Sequence, residues 1–277
     1  MNYANSYEQA LQHPALFWQQ QAERLPWFKT PTQGVDTGTW PTGRWFSDGE
    51  MNTCYMALDH HVANGRADQV AIYYDSPVTG QQSSLTYSQL LEQVALFAGA
   101  LRAQGVAKGD RVVIYMPMVM EAAIAMLACA RLGAVHSVVF GGFAAAELAV
   151  RIDDAKPSAI ISASCGIEVA KVIAYKPLLD EALELAQHQV HSVVILQRPQ
   201  LQAPLKVGRD HDWLQLMAQA QAVEAVSVKA TDPLYILYTS GTTGKPKGIV
   251  RDNGGHAVAL NYSMSAVYNM SAGDVFW

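Results

Sequence analysis

The chain has 277 residues, half of them hydrophobic and 16% charged, with 24 acidic against 19 basic residues and a net charge of −5. That apolar share suffices for one large core or two smaller ones and excludes intrinsic disorder. The acidic balance, with no Lys/Arg cluster, argues against nucleic acid and against an anionic membrane surface as partners.

The N-terminus lacks the basic start and apolar stretch of a signal peptide. Ser6 to Arg24 reads as a helix, and Pro26, Pro31, Pro41 and the glycines from Gly34 to Gly49 make the following segment mostly loop. With its aromatic pairs Phe17-Trp18, Trp27-Phe28 and Trp45-Phe46, the stretch 1–60 reads as a capping extension. Asp59-His60-His61 hints at a metal, but adjacent residues on a helix point to different sides, so no metal ligand is assigned.

Beyond residue 68 the pattern alternates. Val70 to Tyr74 and Ser83 to Leu85 form a hairpin, and Thr86-Tyr87-Ser88-Gln89 is a capping box opening a helix closed by Gly105. Strand Val112 to Met116 comes next, followed by helix Val119 to Leu132, which stops at Gly133, and strand Val135 to Phe140. Helix Ala144 to Asp154, strand Ala159 to Ser162, a helix near Pro177 to His188 and strand His191 to Leu196 complete the series. Uniformly apolar strands separated by amphipathic helices indicate a doubly wound α/β fold: a largely parallel sheet with helices on both faces. Methionines 116, 118, 120 and 126 read as core filler. The most apolar stretch, Leu132 to Ala146, is too short to cross a bilayer. Residues 199–212, without periodicity, mark a candidate subdomain break. Cys54, Cys129 and Cys165 match neither a zinc spacing nor a disulfide framework, so a reducing compartment, the cytoplasm, is the expected home.

The apolar run Leu234 to Leu237 reads as a buried strand and leads into Tyr238-Thr239-Ser240-Gly241-Thr242-Thr243-Gly244-Lys245-Pro246-Lys247-Gly248. Three glycines, four hydroxyl residues and two lysines behind a strand have the composition of a polyphosphate cradle: glycine admits backbone N–H groups, hydroxyls donate, lysines supply charge. It is not a Walker A loop, which needs glycine where Thr239 stands, a hydroxyl where Pro246 stands, and a helix afterwards. The alternative is a glycine-rich surface turn between two strands. A helix follows, capped by Asp252 or Asn253. Arg251 is read as a surface ion partner of Asp252 rather than a phosphate ligand, and His256 as a helix-face residue rather than a base.

This eleven-residue motif resembles the phosphate loop of the adenylate-forming, or AMP-binding, superfamily. The resemblance implies a ligase that joins a carboxylate to the α-phosphate of ATP, releasing diphosphate, and then transfers the acyl group to a thiol with loss of AMP. It implies that Thr239, Ser240, Gly241, Thr242, Thr243, Gly244, Lys245 and Gly248 hold the ATP phosphates, with Lys247 catalytic, and that Mg2+ arrives on the nucleotide. Arg44 to Gly49 and Met51 to Asp59 resemble the N-terminal extension of short-chain acyl-CoA synthetases, which disfavours a carrier-protein adenylation domain. Arg251-Asp252 before Gly254-Gly255 is closer to propionate-CoA than to acetate-CoA ligases, so propionate is expected and acetate is the alternative.

Val138 to Phe143 resembles the stretch that lies along coenzyme A in acetyl-CoA synthetases, which assigns Phe140, Gly141 and Gly142 to CoA. The family's Arg-Gly-Gly, some 25 residues on, reads here Glu168-Val169-Ala170, so its salt bridge to CoA does not carry over, and Lys171 is the candidate replacement. Val275-Phe276-Trp277 stops inside what reads as a new strand, so the chain is expected to be an N-terminal fragment, inactive alone; a complete chain would instead be a non-catalytic nucleotide-binding module.

Overall fold

The structure, a computed structural model, describes residues 3–39, 43–239 and 246–277. Its centre is a seven-stranded sheet formed by β1 (Arg111–Met116), β2 (Val135–Phe140), β3 (Ala159–Ala163), β4 (Ser192–Leu196), β5 (Asp210–Asp212), β6 (Pro233–Thr239) and β7 (Lys247–Asp252). Across the sheet the order is β5-β4-β3-β1-β2-β6-β7, and every neighbouring pair is parallel except the β6–β7 hairpin. The expected doubly wound α/β architecture is present, with an antiparallel strand at one edge.

Strand side chains alternate between faces, and two cores result. Val112, Ile114, Ile161 and Val194 pack against helices α1 (Tyr87–Ala103), α2 (Met120–Leu132) and α5 (Trp213–Gln219). Val113, Tyr115, Val139, Ile160 and Val193 pack on the other side against α3 (Ala145–Ala155) and α4 (Tyr175–Leu185). Local signals set the helix ends. The Thr86–Gln89 capping box is formed, and Gly133 ends α2 in the left-handed conformation at φ 68°.

Several expectations need correction. Residues 6–24 are two helices, Tyr3–Gln12 and Pro14–Ala22, because Pro14 lacks an N–H and is tolerated only at a first turn. At the end of the stretch 199–212, Asp210–Asp212 rejoin the sheet as β5, parallel to β4. Met118 is 92% exposed, standing in the connection after β1 rather than in the core. A hairpin that sequence reading missed, Cys165–Glu168 with Lys171–Ala174, follows β3.

The N-terminal segment is tied to the main body by buried polar contacts. The Asn52 amide donates to the carbonyls of Ala130 and Val226, each at 2.8 Å. The guanidinium of Arg131, buried in α2, grips both carboxylate oxygens of Asp59 at 2.8 and 3.0 Å. Asp59 is thereby engaged in an ion pair. A final helix, α6 (Asn253–Ala266), brings Tyr262 edge-on to Phe17 and Trp18.

Candidate active site

Strands β1, β2 and β6 are parallel neighbours, so Met116, Phe140 and Thr239 end at one edge of the sheet, the carboxyl edge at which open α/β sheets bind ligands. At the end of β2 the chain turns at Gly141 and Gly142. A Cβ on Gly141 would stand 2.5 Å from the Tyr175 hydroxyl and 2.9 Å from the Met116 carbonyl oxygen, and Gly142 has φ +99°. Both positions therefore need glycine. The Tyr115 hydroxyl braces the turn, accepting from the Gly142 N–H at 3.2 Å and donating to the Phe143 carbonyl at 2.9 Å. Burial pushes Tyr175 up to about 12, helped by Tyr115 and Glu168, and burial also raises Tyr115 against the Gly142 amide. Both hydroxyls thus remain protonated.

The hairpin after β3 pairs Glu168 with Lys171 and turns through Val169, whose φ of 55° is a left-handed geometry strained for a β-branched residue. A Cβ on Gly142 would lie 3.2 Å from Glu168 Oε1, so an acid flanks the turn. Lys171 is exposed on the same hairpin and has no ion-pair partner among the described residues. Phe140 presents a largely exposed ring 5.6 Å from that of Phe143.

Beside this turn, the β6–β7 hairpin sets Thr239 opposite Lys247 and Tyr238 opposite Gly248. Ser240, Gly241, Thr242, Thr243, Gly244 and Lys245 lie outside the described residues. Lys247 is exposed, and a Cβ on Gly248 would come within 3.1 Å of Ile236 and 3.2 Å of the Tyr238 ring. A strand follows Lys247, where a Walker A loop would have a helix. Of the run expected to be buried, only Leu234 is; Leu237 is half exposed.

Asp252 occupies the N-cap position of α6 with extended backbone but no capping bond from its side chain. Burial raises its pKa against the amides of His256 and Gly255. No ion pair joins Arg251 and Asp252 among the described residues, since adjacent strand residues point to opposite faces. His256 packs edge-on to Tyr235, 5.0 Å between ring centres. A cavity of about 710 Å³ lies beside it, lined by Trp18, Trp45, Tyr235 and Arg251 among others. Among the described residues no group of three His, Cys, Asp or Glu gathers to hold a metal. Sequence reading missed Tyr115 and Tyr175, whose only signal is a tyrosine within a buried strand and another opening a helix.

Residues 58–277 match the AMP-binding enzyme family, and residues 3–57 match the acetyl-coenzyme A synthetase N-terminus. Over 276 residues the chain is 49% identical to the mitochondrial acyl-CoA synthetase short-chain family member 3 of Mus musculus, covering 99% of this chain and 40% of that protein. It is 43% identical over 279 residues to the propionate–CoA ligase of Escherichia coli, covering 100% of this chain and 44% of the ligase. The solved acetoacetyl-CoA synthetase from Streptomyces lividans is similar with a TM-score of 0.87 at 27% identity, over 96% of this chain and 41% of that one. The chain spans about two fifths of the length of these relatives.

Proposed function

The chain belongs to the AMP-binding enzyme family, and from that premise we propose that the whole protein is an AMP-forming short-chain acyl-CoA synthetase acting on propionate. The observation that carries this reading is the meeting, at one sheet edge, of the Gly141–Gly142 turn with the Thr239/Lys247 ends of the hairpin. In the first step a carboxylate oxygen attacks the α-phosphorus of ATP and diphosphate leaves. In the second the CoA thiolate attacks the acyl carbon and AMP leaves. Lys247, with Thr239, Gly248 and the intervening Ser240 to Lys245, is assigned to the departing phosphates, where a fixed positive charge stabilises what accumulates in the transition state. Mg2+ is assigned to the nucleotide phosphates, since it keeps several waters and needs few protein ligands.

Phe140, Gly141, Gly142 and Lys171 are assigned to CoA: the two glycines allow the tight turn at the end of β2 beside Tyr175 and Glu168, and Lys171, unpaired among the described residues, is a cation for an anionic ligand. Residues 1–60 are read as a capping extension of the AMP-binding domain. Propionate is favoured over acetate by Arg251-Asp252-Asn253-Gly254-Gly255 and by the similarity to a propionate–CoA ligase. A reducing compartment, the cytoplasm, accords with Cys54, Cys129 and Cys165 being buried and unbridged.

The test uses the full-length protein with ATP, Mg2+ and labelled diphosphate. Propionate is expected to drive exchange of label into ATP faster than acetate, with propionyl-CoA formed once CoA is added. No exchange with any short carboxylate overturns the reading; faster exchange with acetate overturns propionate alone. Lys247→Ala is expected to slow exchange by about 10²–10³, with less effect on thioester formation from preformed propionyl-adenylate and none on thermal stability, because Lys247 is exposed.

A further inference from the structure

Helix α3 begins just past the Gly141–Gly142 turn and carries two residues, Arg151 and Asp154, on one face. Both reach the strand that enters the phosphate motif. The Arg151 guanidinium lies 4.9 Å from the centre of the Phe143 ring and 5.7 Å from that of Tyr238. Asp154 Oδ2 accepts a hydrogen bond from the Tyr238 hydroxyl at 2.6 Å. Glu147 fixes the guanidinium from the other side, Nη1 to Oε2 at 2.9 Å, and the Arg151 side chain is only 8% exposed.

Tyr238 stands opposite Gly248, whose missing side chain leaves the ring its place, while the Phe143 carbonyl accepts the Tyr115 hydroxyl that braces the turn. Filling the space between two rings needs only an aliphatic side chain. A buried arginine is costly to desolvate, but its planar cation attracts both ring faces and fixes their separation. We propose that Arg151, with Asp154 and Tyr238, is a positioning bridge that seats the phosphate loop and the CoA turn relative to one another, so that both half-reactions share one geometry. This rests on the function proposed above.

The experiment measures two half-reactions in the full-length protein: propionate-dependent ATP–diphosphate exchange, giving KM for ATP, and thioester formation from propionyl-adenylate, giving KM for CoA. Tyr238→Phe loses the bond to Asp154 and is expected to raise KM for ATP alone. Phe143→Leu is expected to raise KM for CoA alone. Arg151→Met raises both, each by about tenfold. Arg151→Lys raises both as well while its melting temperature stays near that of the unmodified protein, because its ammonium still meets Glu147 but cannot stack on two rings; it carries the test if Arg151→Met does not fold. Arg151 variants that move only one KM, or neither, overturn the bridge. Absence of exchange in the unmodified protein instead overturns the assigned function.

Discussion

Strands β1 and β7 belong to one sheet and differ in almost everything else. Every residue of β1 after Arg111 is buried, with helices on both faces, whereas no residue of β7 is buried. Where both faces are covered, packing dictates the residue: Val112, Val113, Ile114 and Tyr115 fill space at crystal-like density. Where they are not, Lys247 stands exposed and the proposed function gives its charge a task, while Gly248 makes room for the Tyr238 ring. On the proposed function, stability and ligand chemistry would be separated along the sheet, with the Gly141–Gly142 turn at the seam, and substitutions in the two regions should fail in different ways.

The largest effect is expected outside both strands, where the N-terminal segment meets the parallel half. Asp59→Ala would leave the Arg131 guanidinium, 3% exposed, with only the distant, solvent-exposed carboxylate of Glu224 at 3.8 Å. Breaking a buried pair from one side costs about 3–5 kcal/mol. Urea denaturation should show that loss, and a change within about 0.5 kcal/mol would mean that water reaches Arg131 and that the tie is dispensable.

That tie was illegible in the sequence, and the reason is general. Asp59 and Arg131 are 72 residues apart, and neither periodicity nor spacing records such a contact. The same holds for the Tyr238–Asp154 bond and for β5, whose residues Asp210-His211-Asp212 carry no strand pattern and are held by register with β4. What could be read was local. The Thr86–Gln89 box, the Gly133 stop and the apolar run Val135–Phe140 each contain their own cause, and all three stand as expected. At the candidate site, composition and resemblance pointed to glycines and lysines, while Tyr115, Tyr175 and Arg151, which pack around the Gly141–Gly142 turn and Tyr238, carry no such signal.

Two isoleucines sharpen the contrast between the regions. Ile161 in β3 is fully buried between strands and helices, and Ile161→Ala is expected to destabilise by about 2–5 kcal/mol through lost burial and the cavity left behind. Ile249 in β7 is 43% exposed, and Ile249→Ala should stay within about 1 kcal/mol. Paired denaturation curves check this, and comparable losses would mean that the hairpin is packed as tightly as the parallel half.

The smallest effect lies on the seam itself and is read through pH. His136 in β2 sits between Val112 of β1 and Tyr235 of β6, its Nδ1 buried without a hydrogen-bond partner among the described residues. Burial, with His256 nearby, pushes its pKa from 6.5 down to about 4, while His256 is lowered by its own burial and by Arg251. An unfolded chain takes up this proton near pH 6.5 and the folded one only near 4, so between those values the unfolded state binds more protons. Stability is therefore full above pH 6.5 and falls as the pH drops toward 4, by about 1.4 kcal/mol per unit at most from this ring. His136→Phe keeps an aromatic ring against Tyr235 and removes an unpaired nitrogen, so little is lost at pH 7. The variant should lose less stability than the unmodified protein between pH 7 and 5. Equal losses would show that His136 is protonated within the fold, and that the boundary between the buried and the open half of the sheet admits water.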